Sequence, residues 1–199
     1  CNLIFSKDKE IGLLNLFISK LIVKNYYFSR TIHFIYKNYK KYFYNKICNF
    51  NEVFYPQDQF IDWNKIYGSK GFFQIQFVIP KNKFKKILGE ISTFFEKKKL
   101  FSPFVVIKRI DEKGKYLNYY GSGYSISFDF KINKRFENIK FFFNSIIQKY
   151  KLKVNFSKDL VVDKINASNF PEFKLFKKEI SLINSKKKIN SLFSKRLEI

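Results

Sequence analysis

FYPQDQFIDWNKIYGSKGFFQIQFVIP, residues 54–80, is the stretch on which the fold turns. Asp62-Trp63-Asn64-Lys65 has the form of one helical turn with Asp62 at its N-cap. Tyr67-Gly68-Ser69-Lys70-Gly71 is a turn leading into a strand. Side chains alternate between the faces of a strand, so Phe73, Ile75, Phe77 and Ile79 make one apolar face. The other face reads Phe72, Gln74, Gln76, Val78. Two amides two residues apart on one face point at a common ligand or into solvent. Pro80 has no N–H for a ladder and ends the strand.

The segments that follow support that strand. Phe84, Ile87, Leu88, Ile91, Phe94 and Phe95 recur at helical spacing and predict a helix over 81–95. Pro103 opens a strand with Val105 and Ile107 on one face and Val106, Lys108 and Ile110 on the other. Asp111 to Lys115 is a solvated turn. Gly121-Ser122-Gly123 leads into 124–130, where Tyr124, Ile126, Phe128 and Phe130 share one face and Ser125, Ser127 and Asp129 the other. Phe136, Ile139, Phe142, Phe143, Ile146 and Ile147 predict a second helix over 134–150. An extended segment, 152–156, precedes Ser157-Lys158-Asp159. The order from Gly71 is β-α-β-β-α-β, the split pattern of an α+β fold. It predicts an antiparallel sheet with both helices on one face, and the apolar sides of three strands under them. Gln74, Gln76, Lys108, Ser125, Ser127 and Asp129 then collect on the open face. Polar residues there meet water in an ordinary sheet. Amides and hydroxyls flanked by Phe72 and Val78 also suit a covered ligand site.

Flanking segments read as helical. Ile11, Leu14, Phe17 and Leu21 make one helical stripe, and Ile32, Ile35, Tyr36, Tyr39 and Phe43 a second, with Lys37, Lys40 and Lys41 outside. Such a basic, aromatic helix packs its aromatic side on a neighbour or lies on a membrane surface. A further helix runs over 171–184, and Ser185 to Lys188 is a charge run.

The net charge is +23, from 39 Lys+Arg against 16 Asp+Glu, with 46% hydrophobic and 21% aromatic residues. That is ample for a core. The basic excess attracts anions of any kind, and a biased genome composition yields the same surface. His33 is the single histidine and Cys1 and Cys48 the two cysteines. This argues against a zinc site, a Ser-His-Asp triad and a Cys-His dyad. No apolar run is long enough to span a bilayer, and no signal peptide is visible. The chain starts at Cys1 and contains no Met, which is expected of a fragment whose beginning lies upstream.

Lys70 to Phe77 also resembles the RNP1 octamer of an RRM, whose layout is the same split pattern. However, Gln74 stands where the stacking aromatic belongs and Phe73 where a small residue belongs. A stand-alone module binding RNA or another anion is the alternative from a different class.

The series YPQDQFIDWNKIYG, GFFQIQFVIP, VVIKRI, GYSISFDF, NFSKDL and KRLEI resembles, in order, the C-terminal half of FAD-linked sugar-alcohol oxidases. The similarity is greatest to the decaprenylphosphoryl-β-D-ribose 2′-oxidase group. These belong to the two-domain flavoproteins that include the aldonolactone oxidases, among them D-arabinono-1,4-lactone oxidase. The resemblance covers most of residues 50–199. It implies a linking helical segment over 1–50, a substrate domain over 51–165, and a helical tail over 166–199 that returns toward an N-terminal FAD domain. Nothing in this sequence supplies that domain's glycine-containing phosphate loop, so the FAD domain is expected upstream, as this chain's partner.

By the same resemblance, Gln74 and Gln76 match the active-site glutamines of the sheet, Gln76 also meeting the cofactor. Lys108 matches a lysine on the substrate side. Lys158 matches the lysine beside flavin and substrate, which gives it the catalytic and cofactor-binding role. Ser125 and Ser127 stand where some members have Asn and Cys, which changes the hydrogen-bonding groups and removes a thiol. The implied substrate is a sugar or polyprenyl-phosphate sugar, oxidised at a secondary alcohol, with possible membrane-surface association. The expected location is the cytoplasm or, for a lipid-linked substrate, the inner membrane surface. An aldonolactone is the alternative substrate.

Overall fold

The computed structural model describes residues 9–10, 21, 25–42, 60–61, 63–112, 114, 116–117, 119–158, 162–185, 188 and 190–199. The helical stripe over 11–20, Phe43, both cysteines, residues 54–59, Asp62 and Asp159 lie outside them. The chain divides into two units, Cys1–Phe72 and Phe73–Ile199.

In the first unit, strand β1 (Lys9–Glu10) precedes helix α1 (Tyr26–Tyr42), and strand β2 (Phe60–Ile61) pairs parallel with β1. Asn25 caps α1: its Oδ1 accepts from the N–H groups of Tyr27 and Phe28 at 3.0 and 3.2 Å. This satisfies donors that have no partner inside the helix. Ile35, Tyr36 and Tyr39, expected to pack on a neighbour, are exposed. His33 is also exposed. A 3-10 turn over Trp63–Tyr67 follows β2, and the Phe72 ring stacks on Tyr67 with centroids 4.6 Å apart. Gly68 and Gly71 both have positive φ, at 83° and 70°, which suits the turn between them.

The second unit contains most of β3 (Phe72–Pro80), then α2 (Phe84–Lys98), β4 (Val105–Glu112), β5 (Gly121–Lys131), α3 (Phe136–Tyr150) and β6 (Lys153–Val154). It ends with α4 (Lys164–Ala167), α5 (Phe173–Ile183) and α6 (Leu192–Leu197). The strand order is β4-β5-β3-β6 in an antiparallel sheet. Each helix crosses over one strand position, so the first and third strands of the motif lie side by side at the centre. The split β-α-β-β-α-β reading of the sequence is therefore what forms, and the class is α+β.

The core sits between the sheet and its helices. Phe77 faces Phe143, Phe95 faces Phe128 and Phe73 faces Phe136, with centroids 5.9, 5.6 and 4.8 Å apart. Phe77, Phe143, Ile79, Ile87, Ile126 and Ile147 are fully buried. Each such side chain contributes about 1.5–3 kcal/mol, so this cluster outweighs any surface contact. Both crossover helices stop in the same way. Lys99 and Lys151 take left-handed φ of 49° and 53°, and the following leucine N–H bonds back to Phe95 O and Ile147 O at 2.8 and 2.9 Å. Leu100 and Leu152 then turn into the core. This is a Schellman stop with its apolar contact, with lysine where glycine is usual. Outside the core, Glu90 on α2 accepts from Lys149 Nζ at 3.0 Å and from the Tyr150 hydroxyl on α3. Those two contacts, Tyr150 first, hold the Glu90 carboxyl below its ordinary pKa. At the surface such a clasp adds little stability.

One expectation is corrected. Val105 and Ile107 were placed under the helices but remain 46% and 48% exposed. β4 is the edge strand, and the two helices cover only the strands inside it. On the polar face, which the sequence leaves as either solvated or covered, Ser125, Ser127 and Asp129 are buried at 3%, 8% and 2%. Ala167, Phe170, Phe173 and Leu197 belong to the same core as the sheet. Asn166 is completely buried there. It donates to Asn144 Oδ1 at 2.7 Å and accepts from Gln148 at 3.1 Å, which keys α4 to α3.

Candidate functional site

The site is built by two strand periods and one register. Phe73, Ile75, Phe77 and Ile79 face the helices, which puts Gln74 and Gln76 on the far side of β3. On β5 the same alternation sends Ser125, Ser127 and Asp129 to that side. Because β5 lies beside β3, these five residues share one face of neighbouring strands. Gln74 Nε2 donates to Asp129 Oδ1 at 2.7 Å, and Gln76 Nε2 donates to Ser125 Oγ at 3.0 Å. On β4, Lys108 lies directly opposite Ser125, and cross-strand partners share a face. Lys108 is exposed at the sheet edge.

Two residues that the sequence reading did not single out complete the arrangement. Phe77 pairs with Val154 on β6, and Asn155 continues that ladder by donating its N–H to Gln76 O at 2.9 Å. Asn155 Nδ2 also donates to Gln76 Oε1 at 2.7 Å, while Asn155 Oδ1 accepts from Ser157 N at 3.0 Å and Ser157 Oγ at 2.7 Å. Lys158 N–H closes the turn onto Asn155 O at 3.0 Å. Lys158, half-buried, is thus carried on a turn that is bonded to Gln76 through one asparagine. Asn155 was findable. Val154 faces the core, so its neighbour faces the amides, and Asn-x-Ser after a strand signals an Asx turn.

Tyr119 was not findable, because it lies in an irregular segment with no period. Its hydroxyl donates to Ser125 Oγ. Asn155, Gln76, Ser125 and Tyr119 therefore form one hydrogen-bonded row across four segments. Burial raises the Tyr119 phenol above its ordinary value, and the hydrogen bonds to Ser125 and Gln76 oppose that rise. The folded state keeps this proton where the unfolded chain, with a phenol pKa of about 10, has begun to lose it. The contribution is whole below the unfolded value and is lost as pH rises through the folded one. We expect Tyr119→Phe to lose stability less steeply than wild type above about pH 10. Urea midpoints measured across that range check this, and parallel curves would refute it.

The structure therefore joins Gln76 to Ser125 and Gln74 to Asp129 by direct contacts, and links the Lys158 turn to Gln76 through Asn155. Ser127 and Lys108 share the face by alternation and register. Among the described residues no group of His, Cys, Asp and Glu is arranged to hold a metal ion. None of the described helices is long and apolar enough to cross a membrane.

A neutral row of amides and hydroxyls beside a lysine suits hydroxyl-bearing or ring-carbonyl ligands better than phosphates alone. No protein-family model matches this chain. Over 67 residues it is 40% identical to decaprenylphosphoryl-β-D-ribose oxidase of Mycolicibacterium smegmatis (strain ATCC 700084 / mc(2)155), a stretch covering 30% of this chain. The match spans 15% of that protein's length. The chain is a distant relative of an oxidase.

Proposed function

We propose that this chain is the substrate-binding part of an FAD-dependent oxidoreductase that oxidises a secondary alcohol of a sugar or sugar-lipid. The observation that carries the reading is the bonded row of Gln76, Ser125 and Asn155, with Lys158 on the attached turn, in a chain similar to an oxidase. The donor set fits the ring end of a flavin. Amides and hydroxyls match ring carbonyls and nitrogens, and a lysine on the attached turn suits a ring that gains charge. It does not fit the phosphate end, which would be held by a glycine-containing loop in a separate FAD domain. Bound FAD would accept a hydride from the carbon that carries the substrate hydroxyl.

In this reading the chain's own residues orient and tune. Gln74 and Gln76 hold sugar hydroxyls or the ring. Ser125 and Ser127 line the same face. Lys108, exposed at the edge, meets a substrate phosphate or hydroxyl. Lys158 stabilises negative charge in a site with little water. A polyprenyl-phosphate sugar is the substrate favoured by the similarity to a decaprenylphosphoryl-ribose oxidase. An aldonolactone is the alternative. A lipid-linked substrate would bring the protein to a membrane surface. RNA binding gains no support from the geometry: Gln74, where a stacking aromatic would be needed, is hydrogen-bonded to Asp129.

The test joins this chain to a flavin-binding domain, in cis or in trans. Anaerobic addition of a polyprenyl-phosphate ribose or an aldonolactone is expected to bleach the flavin absorbance. The reading falls if no flavin is retained, or if neither substrate bleaches it. It also falls if the chain instead binds RNA with a steep salt dependence.

A further inference from the structure

An amide side chain can be turned over, which exchanges its donor and acceptor ends. Around Gln76 that freedom is removed by a group that can only donate. The backbone N–H of Ser157 donates to Asn155 Oδ1 at 3.0 Å. Asn155 Nδ2 is therefore the end that faces Gln76, and it meets Oε1 at 2.7 Å. Gln76 Nε2 is left on the side of Ser125, whose Oγ accepts at 3.0 Å. Gln74 is fixed by a different rule. Asp129 Oδ1 accepts from its Nε2 at 2.7 Å, so its carbonyl points away from that carboxylate.

We propose that Asn155 is a positioning residue: it holds Gln76 with its carbonyl engaged, and couples that amide to the turn that carries Lys158. Any ligand on this face is then offered an unengaged carbonyl by Gln74, whereas the Gln76 carbonyl already accepts from Asn155 and has one lone pair left. The two glutamines look equivalent in the sequence but differ in polarity. A ligand that fits places a hydroxyl donor at Gln74. The identity of that ligand as a sugar alcohol rests on the proposed function, whereas the orientation of Gln76 does not.

The test uses the 199-residue chain, ¹⁵N-labelled, with side-chain amide exchange read by NMR. Asn155→Ala removes the hydrogen offered to Gln76 Oε1 and puts no acceptor in its place. The expected result is side-chain exchange at Gln76 about tenfold faster, the worth of one hydrogen bond. The Gln74 amide and the backbone amides of Phe77 and Val154 should keep their wild-type protection. Asn155→Leu, close in shape but with neither donor nor acceptor, should give the same pattern and stands in if the alanine variant does not fold. Unchanged Gln76 exchange in the folded variant overturns the proposal. A uniform loss of protection at Gln76, Gln74, Phe77 and Val154 also overturns it, because that marks a general loosening. The readout needs no flavin, so a failed oxidase assay would remove the proposed function and leave this assignment standing.

Discussion

Gly123→Ala should destabilise the second unit by more than about 3 kcal/mol, while Gly121→Ala should cost about 1 kcal/mol. The two glycines form a controlled pair, because both have φ of 157° and the conformational cost of adding a side chain is shared. What differs is the neighbour. A Cβ on Gly123 would lie 2.1 Å from Ile79 O and 3.0 Å from both Ile79 C and Pro80 Cα. All three are backbone atoms of the adjacent strand and cannot swing aside. A Cβ on Gly121 would lie 3.0 Å from Val78 Cγ1, a side-chain methyl that can rotate. Relief at Gly123 requires β5 to separate from β3, and these two strands hold the centre of the sheet. That separation also draws Ser125 away from Gln76, so the site would loosen with the fold. Urea denaturation of both variants gives the comparison. Equal midpoints would mean that β5 can shift past the Ile79 carbonyl without loss.

The same close approach marks how far the sequence could be read. Alternation in β3 and β5, and the helical stripes between them, were legible because every second or every third-to-fourth residue is Phe, Ile or Leu. The helix stops were also available in principle. EKKKL and QKYKL each end a stripe with a lysine followed by a leucine that returns to the core, although lysine is a weak stop signal beside glycine. What alternation cannot show is coverage. Val105 and Ile107 read as core residues by period, but β4 is the edge of the sheet, and edge position depends on strand order. The burial of Ser125 and Asp129 has the same origin. A face that reads as polar is open only if nothing lies over it, and segments without a period, such as the one bearing Tyr119, carry no signal of where they fold. Hence Gln74, Gln76 and Ser125 could be placed together from period and topology, whereas Tyr119 needed coordinates.

Lys158→Ala, assembled with the flavin-binding domain of the proposed enzyme, should keep bound flavin but slow its reduction by substrate about a hundredfold or more, the scale for removing one charge-stabilising group. The expectation rests on how Lys158 is held. Its turn is closed onto Asn155 O, and Asn155 is bonded to Gln76 by both backbone and side chain. A lysine on a free loop would bring its ammonium to the site only part of the time. One on this turn has its backbone fixed relative to the amide row, so less ordering remains to be done at the moment of reaction. Burial then decides the size of the effect. Lys158 is half-buried, where a charge is screened less than at the surface, whereas Lys108 is exposed at the sheet edge. Lys108→Ala should therefore raise KM for a phosphate-bearing substrate and leave the single-turnover rate at saturation within about threefold. Stopped-flow reduction at saturating substrate separates the two lysines. If Lys158→Ala reduces flavin at the wild-type rate, the turn serves only to end β6, and the charge beside the ring must come from elsewhere.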